Sequence, residues 1–138
     1  MYDFDKDLNT IQKLLIADKE IMRLLDLTGK SNSEIGKRIT KKSQWSDLLS
    51  SDKRLCLYPL RSRGTRSSIL FEEIIAIDCH VPSVQDFQAR QIMGKVVDVL
   101  NNKRINGRYL TFKGQLGELP TATGFYCFGV HFGYFSPV

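Results

Sequence analysis

The chain has 138 residues, 42% hydrophobic and 25% charged, with four prolines, one tryptophan and a formal net charge of +5. That length and balance suit one folded domain and exclude a collagen, a low-complexity tail and a disordered chain. No apolar run approaches the ~20 residues needed to span a bilayer, and the start, Met1 to Lys6, lacks the basic and apolar stretches of a signal peptide.

The spacing predicts a first helix from about Lys6 to Leu27. Leu8, Ile11, Leu15, Met22 and Leu25 recur at three- and four-residue steps, and Leu14 and Ile21 widen the stripe into a core-facing surface. Asp5 or Asp7 suits the cap and Gly29 the stop. Residues 31–52 are polar and broken, and read as a single irregular, solvated connection. Ser33–Ile39 and Trp45–Leu49 within it are each long enough for a short helical turn, and Lys37, Arg38, Lys41 and Lys42 form a basic cluster balanced by nearby acids.

Arg54–Pro59 reads as a short strand ended by proline, which removes a ladder donor. Arg61–Ser68 is a loop by composition. Ile69 to Cys79 is the next strand, with Ile69, Phe71, Ile75 and Ile77 on one face and Glu72, Asp78 and His80 on the other. Together these predict a β-hairpin with a basic tip. A second helix is expected from Ser83, its cap, to about Leu100, carrying Ala89, Ile92, Met93, Val96, Val99 and Leu100 on one stripe. Strands follow at about Arg108–Gln115 and Phe125–Phe135. In the last, Tyr126, Phe128, Val130, Phe132 and Tyr134 make a bulky face that suits helix-on-sheet packing. Cys127, Gly129, His131 and Gly133 make a slim face open to another backbone or subunit. The order predicts one α+β, two-layer domain spanning residues 1–138. Its mainly antiparallel sheet of about four strands packs against the N-terminal and central helices.

The charge is unevenly placed. Residues 1–52 carry nine acids and nine bases, and residues 71–138 carry six of each. The whole excess lies in residues 53–70, on Lys53, Arg54, Arg61, Arg63 and Arg66. Arginine's rigid donor fork suits phosphate, so one reading of this hairpin is contact with a polyanion such as a nucleic acid backbone. The other is a solvated tip or a partner for an acidic protein surface. Few aromatic residues are interleaved, so base stacking is not expected.

Other chemistry is thin. Cys56, Cys79 and Cys127 are odd in number and widely spaced, which predicts buried thiols in a reducing compartment rather than disulfides. Cys79 and His80 are strand neighbours on opposite faces, and Cys127 and His131 stand ~13 Å apart along a strand, so neither pair fits a zinc site. Asp78 and His80 share a face and are conceivable as an acid–base dyad. No nucleophile motif accompanies them, and a surface charge pair at the strand end is the simpler expectation. No glycine-rich phosphate loop is present.

The succession of an N-terminal amphipathic helix, Arg54–Pro59, Glu72–Pro82, a second amphipathic helix and Thr121–Tyr126 with Phe132–Ser136 resembles the small neck and tail proteins of long-tailed bacteriophages and prophages, above all the tail terminator or tail-completion protein that joins tail to head. The resemblance runs in element order over about residues 1–137; segment 31–52 is an addition to its simplest form. It implies an α+β virion protein, not an enzyme and with no cofactor, that forms a ring, commonly of six copies. That ring caps the tail tube and meets the head connector, with DNA passing through its centre. It implies no membrane partner. Its assembly would take place in the bacterial cytoplasm. On this reading Arg61, Arg63 and Arg66, with Lys53 and Arg54, line the channel or contact a neighbouring ring, and Cys127, Gly129, His131 and Gly133 mark a subunit-interface strand.

Overall fold

A computed structural model describes residues 3–43 and 51–137. The elements are α1 (Lys6–Ala17), α2 (Lys19–Leu24), α3 (Asn32–Arg38), β1 (Ile39–Thr40), β2 (Arg54–Pro59), β3 (Arg63–Gly64), β4 (Leu70–Pro82), α4 (Asp86–Leu100), β5 (Arg104–Ile105), β6 (Arg108–Tyr109), β7 (Thr111–Leu119) and β8 (Phe125–Pro137). The turn expected at Trp45–Leu49 lies outside the described residues.

The main sheet runs β1-β2-β4-β8-β7, with β3 added to β4, and β5 and β6 form a separate small hairpin. Every pairing in the main sheet is antiparallel except the two-residue β1 beside β2. The architecture is α+β, with helices on one face of an antiparallel-rich sheet. The cause is strict period-two alternation. Register sets Leu55 opposite Cys79, Leu57 opposite Ile77, Ile77 opposite Val130 and Ile75 opposite Phe132. This face meets Leu8, Ile11 and Leu15 of α1, Ile21 and Met22 of α2, and Ile92, Met93 and Val96 of α4 in a single core.

The first helix is two helices. Asp18 takes extended backbone, and its Oδ1 accepts from the Ile21 amide at 2.9 Å, capping α2. The second piece stops before Gly29: Asp26 turns left-handed (φ 59°), and the Leu27 amide donates to the Met22 carbonyl. The helix after Pro82 begins with a 3₁₀ turn at Ser83–Gln85, and Ser83 makes no side-chain cap. Its amide donates instead to the Gly124 carbonyl, tying the helix start to the β7–β8 turn. The strand expected at Arg108–Gln115 splits at Leu110 into β6 and β7.

Residues 31–43 are more than a connection. Ser31 caps α3 through the Glu34 amide, Ile39 is buried in the core, and β1 pairs with β2. Arg38 is buried too: its guanidinium donates to the Lys53 and Leu25 carbonyls and faces Glu34 and Asp52.

Candidate functional site

The hairpin forms as the sequence predicts, and its loop is built. Arg63 and Gly64 pair with Glu72 and Phe71, the Leu60 amide donates to the Ile74 carbonyl, and the Thr65 hydroxyl donates to the Leu70 carbonyl at 2.7 Å while accepting from the Ser67 amide. Arg61, Arg63 and Arg66 are all exposed. None forms an ion pair among the described residues. Two acids stand close by on β4, but Glu72 is held by Lys113 at 3.0 Å and Glu73 accepts from the Ser62 hydroxyl at 3.1 Å. A pocket of about 590 Å³ opens between the loop and Ile74. Around the same end of the sheet, Leu60, Ile69, Leu70 and Phe135 are exposed.

Lys53 and Arg54 do not belong to this loop, contrary to the sequence reading. They sit at the far end of β2, about 20 Å away at strand rise, and both are buried. Lys53 pairs with Asp26 at 2.9 Å. Arg54 lies with its guanidinium 4.4 Å from the centre of the Phe125 ring, and burial pulls it down to about 10. A contiguous run of cations in sequence becomes two separate sites because a strand lies between them.

The slim face of β8 is partly occupied by the chain itself. β8 is central, with β4 on one side and β7 on the other, so it offers no free edge. Gly129 makes room for this chain's own side chains: a Cβ there would lie 2.5 Å from Leu119 Cδ1 and 2.7 Å from Asp78 Oδ1. At Gly133 the corresponding neighbours are Lys113 Cγ at 3.2 Å and the Glu73 carbonyl at 3.3 Å. Cys127 is buried between His80 and Leu119 in register, and His131, half-buried, stands opposite Ala76 and Gly114. Directly above Gly129 and Gly133 the space is taken by this chain's own atoms.

This face, opposite α1, α2 and α4, carries a cluster that the sequence did not assemble. Register sets Arg54–His80–Cys127, Cys56–Asp78–Gly129 and Tyr58–Ala76–His131 across β2, β4 and β8. Asp78 is only 6% exposed, so it is not half of a surface charge pair. The Tyr58 hydroxyl donates to its Oδ2 at 2.5 Å. Burial holds the Asp78 carboxyl above its ordinary value, with Tyr58 and His131 pulling the other way. His80 is buried as well, 3.9 Å from Cys56 Sγ; burial and then Arg54 lower it to about 4, so it is neutral at pH 7 and forms no ion pair with Asp78. Burial pushes the Cys127 thiol up to about 12 and the Cys79 thiol well above its usual range, so neither is a nucleophile near neutrality. Among the described residues no group of three or more His, Cys, Asp or Glu could hold a metal ion. The signals for this cluster, alternate polar positions in β2 and β4, were in the sequence; the register that joins them was not.

No known protein family matches the sequence, and no curated protein does. The fold has solved counterparts. A chain from the virion of a native gene transfer agent particle superposes at a TM-score of 0.66, with 13% identity, covering 100% of both chains. A second solved chain superposes at 0.51 and 9% identity, over 88% of this chain and 96% of its own. At these identities the likeness is one of fold.

Proposed function

We propose that the protein is a virion structural component of a long-tailed phage or phage-derived particle. It acts as a ring, commonly of six copies, at the tail–head junction. There it caps the tail tube and joins it to the head connector, and DNA passes through its centre. The observation that carries this reading is the end-to-end likeness of fold to a chain of a gene transfer agent virion. The surface fits an assembling subunit. Arginines beside exposed Leu60, Ile69, Leu70 and Phe135 give one end of the sheet the mixed apolar and arginine character of a protein interface. The test is native mass spectrometry and electron microscopy of the chain with the tail tube protein. Closed rings seated on tube ends are the expected result. A persistent monomer with no affinity for tube or connector overturns the proposal.

A second reading has its own observation, the three loop arginines without ion-pair partners among the described residues. It makes the protein a small nucleic-acid-binding module. Affinity would then fall steeply with salt and vanish when Arg61, Arg63 and Arg66 become alanine. Unchanged duplex binding by that variant removes it.

A further inference from the structure

The face of the sheet opposite α1, α2 and α4 carries a pocket of about 560 Å³ whose lining includes Tyr58, Asp78, His80, Leu119, Pro120 and Thr121. Two buried polar atoms of that lining have no hydrogen-bond partner among the described residues: Asp78 Oδ1 and Thr121 Oγ1. Both can accept, and one carries the charge of a carboxylate. Buried acceptors left unsatisfied are rare, because each forfeits its hydration without return. A group that offers several donors, no acceptor and a positive charge would satisfy both, and the arginine guanidinium has that inventory. Leu119 and Pro120 supply apolar walls for an aliphatic stem.

We propose that this pocket is a socket for an arginine of the hairpin loop, Arg61, Arg63 or Arg66, of a neighbouring copy of the chain. The proposal rests on the ring reading and names the contact that closes the ring. The donor cannot be the molecule's own loop. Gly64 pairs with Phe71, and Asp78 lies seven residues further along β4, ~23 Å away at strand rise. Plug and socket therefore stand apart on one subunit, which is the arrangement of a head-to-tail contact that closes by rotation. The charges match: three of the five excess positive charges, Arg61, Arg63 and Arg66, are at the loop, and the socket holds an acid whose Oδ1 has no hydrogen-bond partner among the described residues. Leu119 Cδ1 and Asp78 Oδ1 converge on the space above Gly129, so an entering guanidinium turns the Leu119 side chain aside.

The experiment is a double-mutant cycle on the full chain, read as the concentration of half-assembly on tail tube protein by native mass spectrometry. Asp78→Asn keeps the acceptor for Tyr58, replacing Arg61, Arg63 and Arg66 together by glutamine keeps the stems, and a thermal melt of each confirms the fold. Each of the two variants is expected to raise the half-assembly concentration about tenfold or more, the scale of a desolvated charge pair across an interface. The combined variant should be little worse than either. Rings that form equally well from both variants overturn the socket and leave the ring reading standing. Additive effects overturn the assignment of the loop arginines to this socket. A wild-type chain that never forms rings overturns both readings together.

Discussion

Two buried aspartates show how much a single neighbour decides. Asp7 on α1 accepts from the Tyr134 hydroxyl at 2.7 Å and from the Asn106 amide at 2.6 Å, and pairs with Arg108 at 2.5 Å. Burial alone would raise its carboxyl, but those donors outweigh burial and hold it below the ordinary value. The folded state therefore binds that proton less tightly than the unfolded chain does. Its contribution is present above the ordinary carboxylate range and is lost as pH falls through the folded value. Asp7→Ala should cost about 3 kcal/mol at pH 7, because it takes an acceptor from Arg108, Tyr134 and Asn106 as well as removing the acid, and denaturant unfolding measures the loss. Asp78 has the opposite sign. Its folded carboxyl is raised, so stability tied to it grows as pH falls through the folded value and is complete below the unfolded one. Asp78→Asn should therefore melt higher than the wild type at pH 7, with the difference closing in acid. A variant that melts lower at pH 7 would show that the charge is already compensated. Functional sites commonly carry a stability cost of this kind.

The glycine at 129 ties that residue to its element. β7 and β8 are joined through bulges at Phe112/Gly114 and Gln115/Gly117, and these carry Leu119 across the central strand. Gly129→Ala puts a methyl group against Leu119 and Asp78 together, and should cost about 1–3 kcal/mol, the usual range for overpacking. The Ala variant should keep its circular dichroism spectrum while melting earlier. Much of the element layer was legible in the sequence. Alternation identified the faces of β4 and β8, and the apolar stripes identified α1, α2 and α4, because both periods are fixed by backbone geometry. The break at Asp18 was not legible: an acid between apolar positions reads equally well as the outer face of one helix or the cap of the next. Nor was the Tyr58–Asp78 contact, a diagonal across two strands. It depends on register, and a one-residue slip would have sent both side chains to the core. For the same reason Arg54 read as part of a basic tip, although a strand's length separates it from the loop.

Taken over the whole molecule, the +5 charge divides by what holds each cation. Arg38, Lys53, Arg90, Arg108 and Lys113 are all ion-paired to acids of the fold. Arg61, Arg63 and Arg66 are exposed and make no such pair among the described residues. The first set belongs to stability and the second is free for a partner, so the two roles should separate in one comparison. Arg38→Ala removes donors to the Lys53 and Leu25 carbonyls that join β2 to the helices, and should cost about 2–4 kcal/mol. Replacing Arg61, Arg63 and Arg66 together by alanine removes three of the five net charges, and should still leave the unfolding free energy within about 0.5 kcal/mol for each site. Denaturant titration of both variants checks the contrast, and the triple variant is then assayed for assembly and for duplex binding. If the triple variant unfolds as easily as Arg38→Ala, the loop arginines are part of the scaffold after all, and neither the ring contact nor nucleic acid binding is needed to explain why the charge is there.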